Sequence, residues 1–236
     1  MKRLLNITFI VAITVLGFAT VNAQSEFFKL EGMGGYSYMN LNRGVDPDEF
    51  NDDFSDFPAN RVNAHGFNGS VTYNFTRFIG AKFDVTLHTH GEDFQSLFVN
   101  PLRTSPEGGT PSVNGTFKTS QSVYQYMGGI QIKDNEKEGS RFRPFAHILL
   151  GAAQQSFSVD ETAPTSSQLF KIDSTDLAMK FGGGADVNIG KHFAVRAIQF
   201  DWNPIFRGDL DLGNGFGTAN GVLQNNWLLT FGVVLH

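Results

Sequence analysis

The stretch Leu177–Phe206, LAMKFGGGADVNIGKHFAVRAIQFDWNPIF, decides the fold. Its three consecutive glycines, Gly182 to Gly184, lie near Asp186, and Lys191 follows, which raises the question of a phosphate-cradling loop. Such a loop needs its glycines between a strand and a helix, and the common form continues Gly-Lys-Ser/Thr. Here Lys191 is followed by His192, and no helical period comes after it. What the stretch does show is period two. Leu177, Met179, Phe181, Gly183, Ala185 and Val187 alternate with Ala178, Lys180, Gly182, Gly184, Asp186 and Asn188. After a turn around Ile189–Lys191, Ile198, Phe200 and Trp202 alternate with Gln199, Asp201 and Asn203. One apolar and one polar face is strand alternation, so the stretch reads as a hairpin. Glycine inside a strand permits curvature or close approach, and on the polar face it leaves room for a bulky neighbour.

The same alternation recurs along the chain. Leu30, Tyr36 and Tyr38 alternate with Glu31 and Ser37, and Phe67, Val71 and Tyr73 with Asn68, Ser70 and Thr72. Ile79, Ala81, Phe83, Val85 and Leu87 alternate with Lys82, Asp84, Thr86 and His88. Tyr124, Tyr126, Ile130 and Ile132 alternate with Gln125 and Gln131, and Phe142, Ala146, Ile148 and Leu150 with Arg143 and His147. Trp227, Leu229, Phe231, Val233 and Leu235 share a last apolar face. The count is eight strands of about 10–14 residues, the length an outer-membrane barrel strand needs. Three connections are short (NFTR, DNEKEGSR, NIGKH), and four read as long polar loops: Asn42–Asn63, Gly91–Ser120, Val159–Ser174 and Arg207–Leu223. Short turns at one end and long loops at the other, joined by alternating strands, predict an all-β fold, an eight-stranded antiparallel up-and-down transmembrane β-barrel.

Composition agrees. The chain has 236 residues, with 24 Phe, 26 Gly and no Cys. An exported chain without disulfides takes its stability from a large core, a closed sheet or a membrane. The first residues, MKRLLNITFIVAITVLGFATVNA, have a basic start, an apolar run and a small-residue end, the pattern of a secretory signal peptide over 1–23. That leaves 24–236 as one barrel domain. Removing Lys2 and Arg3 takes the formal charge from −5 to −7, which argues against a nucleic-acid partner.

The segments RPFAHILLGAA, FGGGADVNIGKHFAVRAIQFDW and NNWLLTFGVV resemble the small OmpA-like outer-membrane β-barrel family, most closely from Arg143 to Leu235. The resemblance implies a location in the cell outer membrane and a barrel fold, and it implies no activity. It also implies contact with outer-membrane lipid and lipopolysaccharide, and insertion by the barrel-assembly machinery. Chains of that family usually end in an aromatic residue, whereas this one ends Leu235-His236.

Several constellations carry further expectations. Glu31, Lys82, Asp84, Arg143, Lys180, Asp186 and Asp201 fall on polar strand faces, and an eight-stranded barrel has just enough interior for side chains. They predict an internal ion-pair network and a filled lumen. Arg196 falls by strict alternation with Ile198, Phe200 and Trp202, toward lipid. A bulge at Ala197–Ile198 would instead turn it inward to Asp186 or Asp201. His88 and His90, near Glu92 and Asp93, have a spacing that suits metal ligands, and the loop DPDEFNDDFSDF is acidic enough for calcium without the usual glycine and spacing. His88 or His90 with Ser96 or Glu92, and His147 with Ser156, are nucleophile–base candidates. None carries a family motif. The reading therefore assigns no catalytic, cofactor-binding or metal-binding residue, and no cofactor. It expects a monomer acting structurally or through surface loops, with Tyr36, Tyr38, Tyr124, Tyr126, Phe200 and Trp227 toward lipid. The alternatives are a lipid A-modifying enzyme and a soluble periplasmic lipocalin-like barrel, whose apolar faces would point inward.

Overall fold

The computed structural model describes residues 27–42, 61–99, 112–137, 139–163, 167–208, 210–211, 218–219 and 221–236; in the outermost parts of the hairpins only the backbone is described. The predicted leader (1–23) and the acidic loop (46–57) lie outside these residues. Ten strands follow one another: β1 (Leu30–Asn42), β2 (Arg61–Asn74), β3 (Ile79–Val99), β4 (Ser112–Lys133), β5 (Phe142–Ala163), β6 (Ser167–Asn188), β7 (Phe193–Phe206), β8 (Leu210–Asp211), β9 (Thr218–Ala219) and β10 (Leu223–Leu235). Eight of them close into an antiparallel barrel in the order β1-β10-β7-β6-β5-β4-β3-β2, and β8 and β9 form a separate two-stranded ribbon. Closure is direct: Tyr36 on β1 sits opposite Phe67 on β2 and Phe231 on β10. Closing the sheet removes the unpaired edges that an open sheet would expose.

The pleat sorts side chains as the alternation predicts, with polarity inverted relative to a soluble protein. Glu31, Lys82, Asp84, Arg143, Lys180, Asp186 and Asp201 are all buried, while Phe67, Phe83, Ile130, Ile148, Phe200 and Val233 are each about half exposed. In water this arrangement would be unfavourable on both counts. Apolar area costs roughly 25 cal/mol per Å² to expose, and buried charges need partners. It suits a wall of lipid, and it overturns the lipocalin-like alternative, which requires apolar residues inside. The exposed apolar band runs from Ile79 to Leu87 on β3, from Phe142 to Leu150 on β5 and from Trp227 to Leu235 on β10. At ~3.3 Å per residue those runs are about 26 Å along the strand. With the usual barrel tilt they give about 20 Å of height, near the apolar band of outer-membrane barrels.

One expectation needs correction. The strands are longer than read: β3 and β4 stay paired out to Val99 opposite Ser112, and β5 and β6 out to Glu161 opposite Ser167. The segments expected as loops at Gly91–Ser120 and Val159–Ser174 are therefore largely hairpin extensions. There the apolar period-two pattern stops in the sequence before the backbone pairing does. For Arg196 the bulge at Ala197–Ile198 that turns it inward is borne out. Gln199 faces Thr230 and Arg196 faces Gly232, so Ala197 and Ile198 together oppose the single Phe231. That extra residue is a β-bulge. It puts two consecutive residues on the outside and turns Arg196, 1 % exposed, into the lumen.

Candidate functional site

Among the described residues the buried charged side chains converge in the lumen, which has two layers. The layer nearer the termini is ionic. Arg196 makes a two-pronged contact with Asp186, Nε to Oδ1 at 2.8 Å and Nη2 to Oδ2 at 3.0 Å, and its Nη1 donates to Gln199 Oε1 at 2.7 Å. Lys133 Nζ donates to Asp186 Oδ2 at 2.7 Å and also to Glu31 Oε2. Gln199 Nε2 donates to Asp201 Oδ2 at 2.6 Å, and His147 Nε2 lies 3.0 Å from Asp201 Oδ1. Lys82 Nζ is 3.4 Å from His147 Nδ1. Lys180 Nζ donates to Asp84 Oδ1 at 2.6 Å and to Thr86 Oγ1 at 2.9 Å, and Asn68 Nδ2 reaches Asp84 Oδ2 at 2.9 Å. Four carboxylates (Glu31, Asp84, Asp186, Asp201) thus face four cations (Lys82, Lys133, Lys180, Arg196), all at least 98 % buried. A balanced, bonded set is the condition under which buried charge is tolerated.

Glycines make the space. A Cβ on Gly182 would overlap Asp201 Oδ1 and the backbone carbonyl of Phe200, and one on Gly184 would press on the Phe145 ring at 2.9 Å and overlap the Ile198 carbonyl. Phe145 in turn lies under Arg196, whose guanidinium carbon is 4.1 Å from the ring centre. The missing side chains of the glycine triplet are thus where Asp201 and Phe145 fit.

The floor is built from the chain ends. Phe28 stacks on His236 with ring centres 4.3 Å apart, and His236 Nδ1 is 3.5 Å from Glu31 Oε2. Phe28 N donates to Asn135 O at 3.0 Å, Asn74 Nδ2 donates to Phe28 O at 2.8 Å, and Arg143 donates to the carbonyls of Glu136 and Ser140. Outside this floor Arg77 bridges two turns by pairing with Asp134 and Glu136, each at 2.7 Å, and its hydrogen bond holds the Asp134 carboxyl below the usual carboxylate range.

The layer nearer the loops is built from apolar side chains interleaved with buried amides: Gln125 Nε2 donates to Asn203 Oδ1 at 2.6 Å and Gln155 Nε2 to Gln224 Oε1 at 2.8 Å. Met39, Leu41, Val62, Met127, Leu149, Ile205 and Leu228 are 0–3 % exposed and form one cluster with Val123 and three alanines. On β1 and β2 the polarity of the faces exchanges at this level: Leu41 and Val62 point inward while Asn40, Asn63 and Arg61 lie outward. On β6, β7 and β10 the outer face stays apolar as far as Leu177, Phe206 and Leu223, which are 43–54 % exposed.

Of the nucleophile–base candidates, His147 faces the lumen and Ser156, nine residues on along an unshifted β5, faces outward, so the two do not meet. His88 is buried and its Nε2 is 3.0 Å from Ser37 Oγ, while His90 Nδ1 contacts Asn63 O at 2.7 Å. The side chains of Glu92, Asp93 and Ser96 lie outside the described residues. Among the described residues no group of three or more His, Cys, Asp or Glu side chains is placed to hold a metal. The outward aromatics stand as expected: Tyr36, Tyr126, Phe200 and Trp227 are 37–51 % exposed, with Tyr38 and Tyr124 half-buried. Lys133 escaped the sequence reading because it falls between the last residue assigned to β4, Ile132, and the turn beginning at Asp134.

A closed antiparallel barrel with a bonded ionic interior and an apolar girdle outside defines a transmembrane β-barrel protein. Residues 9–233 match the family model of the outer membrane protein beta-barrel domain, and the chain belongs to that family and to the outer membrane. Among solved structures it is similar to Neisserial surface protein A (10 % identity, 89 % of this chain and 99 % of that one, TM-score 0.50). It is also similar to Ail of Yersinia pestis crystallised with the heparin analogue sucrose octasulfate (16 %, 88 % and 99 %, 0.45) and to OprG of Pseudomonas aeruginosa (13 %, 91 % and 98 %, 0.42). At such identities the likeness concerns the fold alone. A comparison with curated protein sequences finds no significant match.

Proposed function

We propose that this protein is a monomeric, non-conducting outer-membrane barrel whose role is structural or lies in surface interaction through the segments at its loop end. It has no enzymatic activity. The termini and the three short turns face the periplasm, the four loop-end connections face outward, and the barrel-assembly machinery inserts the chain. Its standing contacts are outer-membrane lipid and lipopolysaccharide, and it has no nucleic-acid partner. The observation that carries the reading is the filled lumen. An ionic layer of bonded acids and bases lies beneath a layer in which apolar side chains are interleaved with hydrogen-bonded amides (Gln125 with Asn203, Gln155 with Gln224), and a lumen filled in this way opposes ion entry. The test is planar-bilayer recording with the refolded protein. We expect no unit conductance above the bare membrane, and a stable, reproducible conductance step overturns the non-conducting role. Lipid A mass profiles of cells with and without the gene test the enzymatic alternative, and they should coincide.

A further inference from the structure

The outward face of β10, β1 and β2, at the height where the faces exchange polarity, combines features no other described part of the wall has. Trp227 on β10, Asn40 on β1 and Asn63 on β2 are cross-strand neighbours in one row. Just below, Tyr38 is opposite His65 with ring centres 5.6 Å apart, and Tyr36 Oη lies 2.5 Å from His65 Nδ1. Just above, exposed Arg61 donates from Nη1 to Asn40 Oδ1 at 2.7 Å. Tyr38 Oη and Asn40 Nδ2 both donate to Asn63 Oδ1, at 2.7 and 3.3 Å, so the amides hold the patch in one arrangement.

Two properties select an occupant. First, Arg61 has no carboxylate partner among the described residues, although the chain is acidic overall and Lys171, also exposed toward the loop end, is paired with Asp173 at 2.8 Å. A guanidinium with unused donors matches phosphate oxygens. A Tyr36 hydroxyl that donates to Nδ1 leaves the hydrogen on His65 Nε2, which then offers a second donor on the same face. Second, the patch is continuous below with the apolar wall of Phe67, Phe231 and Val233, each 41–52 % exposed, and flanked by Trp227, with Phe200 stacked on it and Trp202 tilted beside it. A soluble anion would have no use for that wall, whereas an acyl chain would lie on it and a sugar ring on the aromatic faces.

We infer that this face is a binding site for the phosphorylated sugar headgroup of an outer-leaflet glycolipid, with Arg61 and His65 on the phosphate, Trp227 and Tyr38 beside the sugar, and the acyl chains against Phe67 and Phe231. The inference rests on the reading of the loop end as the extracellular one.

The experiment uses full-length protein in detergent, equilibrated with a bisphosphorylated diglucosamine glycolipid or with the same lipid freed of phosphate. Retained lipid is counted by native mass spectrometry. The phosphorylated lipid should be retained at least about tenfold more strongly than the other, a difference of about 1.4 kcal/mol. Arg61→Gln with His65→Gln should remove most of that preference, and Lys171→Gln should leave it unchanged. Equal retention of the two lipids, or an unaltered preference in the double variant, overturns the site. Full displacement of the lipid by millimolar inorganic phosphate also overturns it, because the site then reads free anion. A heat-dependent gel shift run alongside shows that each variant is a folded barrel. Loss of that shift in the parent protein would instead count against the barrel reading itself.

Discussion

Replacing Arg196 by Met is the sharpest test of the inward turn at the bulge. The change deletes two contacts to Asp186 at 2.8 and 3.0 Å, one to Gln199 at 2.7 Å and the cation over Phe145 at 4.1 Å. Methionine fills much of the volume, so the loss is electrostatic. The ionic layer goes from four cations against four carboxylates to three against four. Asp186 keeps Lys133 at 2.7 Å, and Lys133 is shared with Glu31, so one buried carboxylate is left under-compensated. Removing one partner of a buried pair costs about 3–5 kcal/mol. Removing Asp186 as well, with Leu in its place, restores a three-to-three balance and should recover about 2 kcal/mol of that. Deleting Ala197 should cost less than losing the guanidinium, because the strand then alternates strictly, with Ile198 opposite Phe231 facing out and Arg196 opposite Gly232 still facing the lumen. Urea unfolding of the barrel folded in lipid vesicles reads these values, followed by the emission of Trp202 and Trp227 and by gel mobility. An Arg196→Met protein within about 1 kcal/mol of the parent, or a double variant that pays the full sum of both single losses, would refute an inward, paired Arg196.

The remaining predictions use the same assay. Gly182→Ala should destabilise by about 1–3 kcal/mol, since its Cβ meets backbone as well as Asp201, while Gly128→Ala, with open space around its Cβ, should be within error of the parent. Leu149→Ala, in the apolar cluster, should cost about 2–4 kcal/mol; a change under about 0.5 kcal/mol would mean that the layer is loosely filled. Arg77→Ala and Asp134→Ala should couple by no more than about 1 kcal/mol, because both side chains are part exposed. The folded Asp134 carboxyl titrates below its unfolded value, so this coupling is present above pH ~4 and fades as the pH falls through the folded value. A double-mutant cycle repeated at pH 7 and pH 3 checks the direction.

Much of the barrel was legible because lipid and a narrow lumen make opposite demands on neighbouring residues. All seven charges assigned inward from the alternation are inside, including Lys82 and Asp84 on β3 and Asp186 beside the glycine triplet. Where the surroundings on both faces changed, the signal failed. Met39, Leu41 and Val62 are apolar and point inward, and nothing in a period-two pattern distinguishes an apolar residue facing lipid from one filling a lumen. The outer hairpins were lost because the apolar period-two pattern stops in the sequence before the backbone pairing does. The bulge is invisible in composition, since Val195, Ala197 and Ile198 are apolar whichever one is the extra residue. The charge of Arg196 was the only hint that the register had to slip.

The exchange of polarity between faces has a consequence before folding as well. Along the described strands, inward polar and outward apolar residues alternate, and the mean hydropathy of the whole chain is −0.17. A surface apolar enough to sit in a bilayer is thus written without any window of about 20 consecutive apolar residues beyond residue 23. Such a window is what an export channel would release sideways into the inner membrane. The chain can therefore cross one membrane as an ordinary polar thread, and it becomes greasy only when the sheet closes and sends every second side chain to the outside.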